Sequence, residues 1–433
     1  MSPCDSLSKR GNGWTARPLR EICSITSGGT PPKSDPGSWT GDLPWASGKD
    51  MKKPRLSDTI DHITPEAAET YSRIAPAGSV LVLVRGMGLA NGFAVSLLER
   101  PMAFNQDLKA LLPSDAITGA FLMYALTWAG ERMLQNVSDA AHGTKRLSQD
   151  DVTGFDVSYP AKEEQLAITK VLDAARAAVD LESQAIRLTE SFRRAVMREL
   201  FARGLRGEER KETAIGPVPE SWNVVPLGSL GRIGNGSTPK KAVTDYWRGG
   251  TFPWLTSAKV YDRMILEADE YVTDVALDEC HLPVLKPGAL LIAITGQGKT
   301  LGHCAVLGIQ ATISQHLAYL QPDPQRASSR FLMGYLETQY SYLREVAAGG
   351  GSTKGALTCA FLRELPVPFP RLDDQNEIVA ILDAIDRKIA LHRRKCALLN
   401  DLFKYLLDKV MTGEVQVSDL DLSALPSAVK GGP

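Results

Sequence analysis

The stretch Trp14–Lys33, WTARPLREICSITSGGTPPK, returns at Trp222–Lys241 as WNVVPLGSLGRIGNGSTPKK. The two stretches are 208 residues apart, and the same offset maps Trp39 onto Trp247. A period of this length is far longer than the repeats of solenoid proteins. The sequence therefore predicts two copies of one domain-sized unit.

The correspondence continues downstream, and its offset grows only from 208 to 210. The further matches are Pro44 and Trp45 with Pro253 and Trp254, Gly86, Gly88 and Gly92 with Gly296, Gly298 and Gly302, Gln106 with Gln315, Thr144 and Lys145 with Thr353 and Lys354, and Pro160 and Gln165 with Pro370 and Gln375. Chance would rarely keep the register so well, so these matches support duplication of a whole unit.

The first part of each unit combines short apolar runs with helical patterns. The runs 79–84 and 289–294 are bounded by glycine or proline, which is typical of buried strands. Segments 120–135 and 329–346 have helical apolar spacing and no proline. Each unit is therefore expected to begin with a globule of mixed α and β structure.

The second part of each unit shows a heptad pattern. From Gln375 to Val410 there is no proline or glycine, and apolar residues alternate in steps of four and three, broken only at His392. Such a pattern predicts long helices that pair as a coiled coil, and a helix of about 36 residues spans roughly 54 Å. A single buried core helix is the alternative. The proposed seam residues are Ile168, Leu172, Val179, Ile186, Ile378, Leu382, Ile385, Ile389, Leu399 and Leu406.

The predicted fold class is α/β in the sense of mixed α+β. Two similar globular domains are joined by two long antiparallel helices that form a coiled coil, and the whole has an internal pseudo-twofold repeat. The expected boundaries are a first globular domain at 1–160, a first long helix and linker at 161–213, a second globular domain at 214–371, a second long helix at 372–412, and a tail at 413–433.

Composition excludes several protein classes. The 433 residues carry 49 Lys and Arg against 50 Asp and Glu, so the chain is not uniformly basic, although a local basic surface remains possible. The six cysteines are scattered without a CxxC pair, which disfavours a disulfide framework or a zinc finger. No apolar run is long enough for a membrane span, and the N-terminus lacks an apolar signal core. A cytoplasmic protein is expected.

One motif resembles a phosphate-binding loop. Thr295–Thr300 reads TGQGKT after a predicted strand, but Ala293 stands where a P-loop needs its first glycine. The following residues resemble a turn and a strand, so the helix N-terminus that binds phosphate is not expected. The first-unit copy at 85–91 has no lysine, and neither copy satisfies GxGxxG. Nucleotide binding is therefore disfavoured.

Other catalytic signatures are absent or weak. The sequence has no GxSxG and no HExxH. Cys280-His281 and His303-Cys304 could contribute to a metal site, but neither pair recurs in the first unit, which favours ordinary packing. Glu209-Arg-Lys211 has the ExK form of a nuclease centre, but it lies in the linker, where a solvated charge run is expected. No catalytic residue and no metal ligand is assigned.

Polar and basic residues recur in equivalent loops of the two units. Loops on a rigid scaffold commonly carry recognition residues, and Arg, Lys, Asn and Gln can contact base edges or phosphates. Surface lysine is common, and the alternative role of the glycines is to form tight turns alone. The candidate DNA-contacting residues are Lys33, Lys49, Arg85, Asn91, Lys145, Arg146, Lys240, Lys241, Lys259, Gln297, Lys299 and Lys354.

The repeated unit resembles the specificity subunits of type I restriction–modification systems. The resemblance rests on W-x4-L-x2-I followed by the G-x-T-P and P-W motifs, and on Glu164-Gln165-Leu-Ala-Ile168 entering a long helix. It covers about residues 14–412. In the second unit Asp374 replaces the glutamate, and Thr295-Gly replaces Arg85-Gly, as expected if the two copies read different sequences.

This resemblance implies a non-catalytic subunit with two target-recognition domains. Each domain would read one half of a bipartite, gapped double-stranded DNA target, and the helices would set the spacing and dock two methyltransferase subunits. Two restriction subunits can complete such an assembly, which then cleaves DNA. S-adenosylmethionine, ATP and Mg would be bound by the partners, and no cofactor by this chain. No membrane association is implied.

Two other functions stay open at this point. The chain could be a catalytic protein, such as a nuclease or NTPase centred on Lys299. It could also be a coiled-coil adaptor that has lost DNA reading. The bases read, the gap length and the methylated position do not follow from the sequence, because no simple code links loop residues to base pairs.

Overall fold

The computed structural model describes residues 13–139, 145–296, 298–349 and 356–419. These residues form two compact units: unit 1 contains the chain up to Ser183 and from Arg394 onward, and unit 2 contains Gln184–Arg393. Each unit consists of an α+β globule and one portion of each of two long helices. The predicted mixed fold is confirmed, whereas the domain boundaries drawn from the sequence remain a prediction.

A five-stranded sheet forms the centre of each globule, and the strand order is the same in both. All neighbours pair antiparallel except the last strand, which pairs parallel. In unit 1 the order is Cys23–Ser27, Leu108–Pro113, Val80–Leu83, Val95–Leu98, Arg55–Leu56. In unit 2 it is Gly231–Asn235, Leu317–Pro322, Leu290–Ala293, Cys304–Leu307, Met264–Ile265. The strands expected at 79–84 and 289–294 are the central ones.

A second, smaller sheet lies in each globule. It contains Asp61–Ile63, Leu43–Ala46, Met102–Phe104 and Ile74–Ala75 in unit 1, and Glu270–Val272, Phe252–Leu255 and Thr312–Ile313 in unit 2. Two-stranded sheets also form in each unit, pairing Thr15–Pro18 with Asp156–Tyr159, Ser138–Asp139 with Lys145–Arg146, Asn223–Pro226 with Pro366–Phe369, and Arg210–Lys211 with Val218–Pro219. In the last pair, the strand Arg210–Lys211 lies within the segment up to residue 213 that the sequence suggested was helix and linker.

Short helices cover the sheets. The single helices expected at 120–135 and 329–346 are each broken into two, with Ala129 and Gln339 at the breaks. The helices of unit 1 are Leu19–Ile22, Pro65–Tyr71, Gly119–Trp128, Gly130–Leu134 and Gln149–Thr153. Those of unit 2 are Asp274–Glu279, Ser329–Thr338, Tyr340–Gly349 and Cys359–Glu364. Short 3-10 helices are Pro36–Trp39, Met87–Asn91, Leu227–Leu230, Thr244–Tyr246, Ser257–Asp262 and Val417–Asp419.

The two long helices are Lys162–Arg203 and Leu372–Thr412, with 42 and 41 residues. They exceed the expected 36 residues because each extends by two or three residues at both ends. Within unit 1 they run antiparallel: Lys395 pairs with Glu182 at 2.5 Å, and further along, Phe403 lies under the Arg176 guanidinium.

The helices are also antiparallel within unit 2. Arg393 pairs with Glu190 at 2.6 Å and Asp386 with Arg193 at 2.6 Å. Residue numbers therefore increase along one helix in the direction in which they decrease along the other. The seam residues chosen from the heptads lie on the packed side of the helices. Ile168, Leu172, Val179, Ile378, Leu382 and Ile389 are buried, and Ile186, Ile385, Leu399 and Leu406 are partly buried.

A buried glutamine fastens the start of each long helix to its globule. Gln165 accepts a hydrogen bond from the Thr118 N–H at 2.8 Å, and its amide donates to the carbonyls of Ala116 and Pro160, each at 2.9 Å. Both glutamines, Gln165 and Gln375, are fully buried. This geometry explains why a glutamine stands at the same place in both repeats.

Gln375 makes the same three bonds in unit 2. It accepts from the Ser328 N–H at 2.8 Å and donates to the carbonyls of Arg326 and Pro370, at 3.3 and 2.9 Å. Such bonds leave no polar atom of the buried side chain unpaired, which is what burial of an amide requires. The helix-entry geometry is therefore duplicated along with the sequence.

An equivalent aromatic pair lies in the core of each globule. Phe121 packs against Trp14 in unit 1, with ring centroids 5.8 Å apart, and Phe331 packs against Trp222 in unit 2 at 6.1 Å. Both contacts are edge-to-face, a favourable aromatic geometry.

Within the described residues, no helix combines the length and apolar character needed to cross a membrane.

Candidate functional site

The Gly-x-Thr-Pro loop of each unit lies directly against a neighbouring strand. A Cβ added at Gly28 would lie 1.9 Å from the Phe104 carbonyl oxygen, and one added at Gly236 would lie 1.9 Å from that of Ile313. No side chain fits in that space, so only glycine allows this close backbone approach. The duplicated glycine therefore fixes the position of the loop that follows it.

Two tryptophans hold this loop in unit 1. The indole N–H of Trp45 donates to the Gly29 carbonyl at 2.9 Å, and that of Trp39 donates to the Pro32 carbonyl at 3.2 Å. The two rings meet edge-to-face, 5.1 Å apart. Beside them is an open cleft of about 560 Å³, lined by Thr30, Lys33, Trp39, Trp45, Ser47, Lys49, Asp61 and Asn105. The structure thus brings the candidates Lys33 and Lys49 together.

Unit 2 repeats this arrangement. Trp254 donates to the Ser237 carbonyl at 3.1 Å and Trp247 to the Lys240 carbonyl at 3.3 Å, and their rings are 5.1 Å apart. The Lys241 ammonium lies 3.6 Å from the Trp247 ring centroid and also pairs with Glu270. The face of the Trp247 ring attracts the ammonium through a cation–π interaction. This attraction adds to that of the Glu270 carboxylate. Lys241 is therefore held in a defined place.

A second loop in unit 1 gathers Arg85, Lys145 and Arg146. Arg85 Nε pairs with Asp107 Oδ1 at 2.8 Å, its backbone bridges Arg146, and the Gly86 N–H donates to the Lys145 carbonyl at 2.9 Å. Asn91 ends the short 3-10 helix that follows. Three of these cationic candidates therefore form one patch beside the strand ends.

The equivalent loop in unit 2 has the same backbone but different side chains. Thr295 bridges Ala356 as Arg85 bridges Arg146, and the Thr295 hydroxyl lies 2.5 Å from His316 Nδ1 in place of the Arg85–Asp107 ion pair. Of the candidates here, Lys299 is exposed. Gln297 and Lys354 lie outside the described residues.

The pairing of Thr295 with His316 was not predicted from the sequence. His316 belongs to no motif, and the motif that contains Thr295 gives no partner for it, so the available signal was the offset that places Thr295 at Arg85 and His316 at Asp107. The difference replaces the arginine–carboxylate ion pair with a contact between a hydroxyl and an imidazole. The two loops therefore offer different chemistry on one backbone scaffold.

A polar cluster beside this loop was also missed. The His303 ring lies 5.1 Å from the Tyr261 ring and 4.6 Å from the Tyr340 ring, and the Tyr261 hydroxyl is 3.1 Å from the Thr300 hydroxyl. The Arg344 guanidinium donates to the Gly298 carbonyl at 2.8 Å. Burial lowers the pKa of His303 below its ordinary value. Arg344 and Tyr340 thus fasten the turn that carries Lys299.

Lys259 is a correction to the candidate set. The residue is only 9% exposed, and its ammonium pairs with Asp262 at 3.0 Å and with Asp269 at 3.3 Å. The hydrogen bond to Asp262 raises its pKa, so it stays charged inside this cluster. A cation already neutralised by two carboxylates is not presented to a ligand. The other described candidates are exposed, except the half-buried Lys145: Lys33, Lys49, Arg85, Asn91, Arg146, Lys240, Lys241 and Lys299.

The alternatives based on catalysis gain no support. The described residues from Gly298 to His303 form turns that lead into the strand Cys304–Leu307, so no helix N-terminus follows the glycines. Burial raises the pKa of the Cys23 thiol to about 12 and raises that of Cys304 as well, which disfavours reactive thiolates. Among the described residues, no three His, Cys, Asp or Glu side chains are grouped as metal ligands.

Solved structures show the same fold. The S subunit of a Type-I restriction-modification system from M. genitalium has a TM-score of 0.57 at 16% identity, covering 95% of this chain and 99% of that chain. A chain from a study of complex assembly and conformational transition of the type I R-M system has a TM-score of 0.60 at 19% identity, covering 94% and 99%. At such identities the likeness establishes the fold alone.

Sequence relatives agree. The chain is 28% identical over 204 residues to the type I restriction enzyme MjaIX specificity subunit of Methanocaldococcus jannaschii, covering 45% of this chain and 46% of the relative. It is 29% identical over 157 residues to the EcoR124I/EcoR124II specificity subunit of Escherichia coli, covering 36% and 39%. The aligned stretches thus span less than half of each of these two relatives.

A family model matches both units. Residues 11–189 and 219–401 each match the type I restriction modification DNA specificity domain. The two matches contain the tryptophan-held loops, the buried glutamines and most of the two long helices. Because they cover well over half of the chain, this protein belongs to the family of type I restriction–modification specificity subunits.

Proposed function

We propose that this chain reads a bipartite, gapped double-stranded DNA target, with each globule binding one half. The observation that carries the proposal is the duplicated scaffold with altered side chains. Both units hold a Gly-x-Thr-Pro loop by two indole N–H donors, yet Arg85 and Asp107 in unit 1 stand where unit 2 has Thr295 and His316. Two domains that read different half-sites are expected to share a scaffold and to differ in the side chains that it presents.

The exposed side chains suit DNA. Arginine and lysine can donate to guanine edges and to phosphates, and phosphate contacts position a protein on the duplex. With a net charge of -1, the attraction of this chain to DNA would come from local basic patches rather than from its total charge. Since phosphate neutralisation dominates affinity, partner subunits would supply part of the electrostatic attraction.

The long helices would set the separation of the half-sites. A helix of 42 residues spans roughly 63 Å, comparable to about 18 base pairs at about 3.4 Å each. This length is sufficient for a gap between two separately read half-sites.

Exposed leucines on the long helices support docking of two copies of one partner. Leu181 and Leu188 are 63% and 62% exposed, and the residues 210 positions later, Leu391 and Leu398, are 63% and 64% exposed. Large apolar side chains left in solvent at such matched positions suggest an interaction surface. A duplicated surface fits two identical partners, and we assign it to two methyltransferase subunits.

Catalysis would then lie with the partners. Methyltransferase subunits would bind S-adenosylmethionine and modify adenine, and two restriction subunits, where present, would bind ATP and Mg and cleave DNA. Since the target is genomic or invading DNA, the assembly would act in the cytoplasm. This chain would contribute recognition and assembly.

Mapping adenine methylation tests the DNA-reading role. Genomes from cells with and without this chain would be compared by single-molecule sequencing, with the methyltransferase partner present in both. A two-part motif with a fixed gap, methylated only when the chain is present, is the expected result. An identical methylation pattern in both cells would contradict the proposal.

The docking surface has its own test. Leu188→Glu and Leu398→Glu each place a charge on one copy of the exposed surface without disturbing the core. Each single variant should lose one methyltransferase subunit from the purified complex, and the double variant should lose both. Ser191→Glu, at an exposed polar position, is the matched control. Unchanged stoichiometry in the double variant would refute the assigned surface.

A further inference from the structure

The two helix portions that pair in each unit differ in chemistry at equivalent positions. The offset of 210 residues places Arg193 at Phe403 and Arg176 at Asp386. In unit 1 the Arg176 guanidinium lies 5.9 Å from the centroid of the Phe403 ring. In unit 2 Arg193 Nε pairs with Asp386 at 2.6 Å. A cation on an aromatic ring in one unit thus corresponds to an ion pair in the other.

Both contacts are built into their units. Phe403 is 8% exposed, and its ring centroid lies 6.2 Å from that of Tyr124. The Arg193 side chain is 13% exposed, and its second bond goes to Glu337 at 3.1 Å. Partly buried charges of this kind depend strongly on a partner of opposite sign.

Further ion pairs between the helices follow the same rule. Glu182 pairs with Lys395 in unit 1, and Glu190 pairs with Arg393 in unit 2. Neither ion pair recurs at the positions 210 residues away. There, Ala185 is the equivalent of Lys395, and Ser183 is the equivalent of Arg393. Each of these bonds therefore requires one partner from each long helix.

We infer that the helix seam makes each half of the chain reject a second copy of itself and accept only the other half. Two copies of the first half would set Arg176 of one against Arg193 of the other, twice, because Arg193 is equivalent to Phe403. Like charges in a partly buried seam are strongly unfavourable. The seam therefore acts against symmetric assembly, like the polar seam positions that select partners in coiled coils.

The second half is disfavoured for a different reason. In two copies of it, Asp386 of one would meet Phe403 of the other, so the carboxylate would lose its ion pair with Arg193 and keep the longer one with Arg263 of its own half, at 3.4 Å. The three ion pairs named above would be absent from both symmetric pairings. The seam thus keeps two different globules together, and this conclusion does not depend on DNA binding.

Cleaving the folded full-length chain provides the test. Gly207 lies in an exposed segment between the first long helix and the strand Arg210–Lys211, and a protease site inserted there would divide the folded chain into two halves. The nicked protein would be partly unfolded in urea, returned to buffer, and examined by native mass spectrometry. First-half dimers should lie about tenfold or more below their statistical share, equivalent to about 1.4 kcal/mol.

The double variant R193F/D386R reproduces the unit 1 chemistry in unit 2. The first half then contains both an arginine and a phenylalanine at the facing positions, so its charge clash is removed, whereas in the second half the new arginine would lie beside Arg263, which is 3.4 Å from Asp386 in the wild type. Symmetric dimers of the first half should rise toward their statistical share. Wild-type halves that redistribute freely, or a double variant that remains strictly paired, would overturn the inference.

A second variant covers the case in which the first fails to fold. R176D/F403R also makes each half complementary to itself, because the new carboxylate would face Arg193 and the new guanidinium would face Asp386. It changes unit 1 and leaves the Arg193–Glu337 contact intact. The same rise in symmetric dimers is expected, and its absence in a folded double variant would equally contradict the inference.

Discussion

The side chains beside the loop 85–92 of unit 1 are apolar, whereas those beside the equivalent turn 298–302 of unit 2 are polar. In unit 1, Met51, Leu89, Phe93 and Leu134 pack in one core cluster, in which the first two are buried. In unit 2, the His303 ring lies against Tyr261 and Tyr340, and Arg344 donates to the Gly298 carbonyl. The strand order of the sheet beside the two loops is identical.

This comparison teaches how a duplicated fold can diverge in what it presents. The sheets, the tryptophan-held loops and the helix-entry glutamines rest on backbone contacts that both units keep. The side chains beside the two loops take no part in those backbone contacts, so they could change without disturbing them. Stability and surface chemistry are therefore carried by different residues, and the predictions below separate them.

The largest expected effect distinguishes the two tryptophans that begin the repeats. Trp222 is 1% exposed, whereas Trp14 is half-buried. Trp222→Ala should lower the free energy of unfolding by about 3–5 kcal/mol, which is typical when a fully buried aromatic side chain is removed. Trp14→Ala should lower it clearly less. Urea unfolding, with hydrogen exchange to follow each unit, measures both. Equal losses would show that the two cores are more alike than burial indicates.

The buried glutamines should behave alike. Gln165→Ala and Gln375→Ala each leave one backbone N–H and two carbonyls without their bond, and an unsatisfied buried group costs about 1–3 kcal/mol. We expect similar destabilisation of each unit in the same unfolding experiment. The exposed neighbours Glu163→Ala and Asn376→Ala are the controls. A loss confined to one unit would break the equivalence of the two helix entries.

Recognition should respond separately in the two units. Arg85→Ala should alter only the half-site read by unit 1, and Thr295→Ala only the other. A lost base contact costs about 1–3 kcal/mol, so methylation of the original motif should fall by about 5- to 150-fold. Methylation mapping reads both halves at once. Arg17→Ala, on the strand Thr15–Pro18, is the control, and variants that change both halves would contradict independent reading.

The sequence could predict features that repeat or follow a period. The duplication, the central strands and the long helices were all visible, because a shared core imposes matching residues and a seam imposes heptads. The breaks at Ala129 and Gln339 were not visible, since apolar spacing continues through them. Burial of Lys259 was equally hidden, because Asp262 and Asp269 lie next to it only after folding.

The candidate site was predicted in part for a related reason. Loops with glycine and lysine could be named, but not which side chains meet. The ion pair of Arg85 with Asp107 and the contact of Thr295 with His316 each join residues from separate strands. Such pairs depend on the sheet register, which no local pattern specifies. Comparing the repeats position by position is the signal that would have found them.

The smallest expected effect concerns pH. Burial holds the pKa of His303 below its ordinary 6.5, so the unfolded chain binds this proton more readily than unit 2 does. Stability from this group is therefore present above about pH 6.5 and is lost as pH falls through the lowered pKa. His303→Phe, which keeps a ring but removes the titrating group, should remove this loss. Urea unfolding at pH 7 and pH 5 gives the difference for wild type and variant. An unchanged pH dependence in the variant would mean that another group sets it and that the polar side chains beside residues 298–302 are no more acid-sensitive than the apolar ones of unit 1.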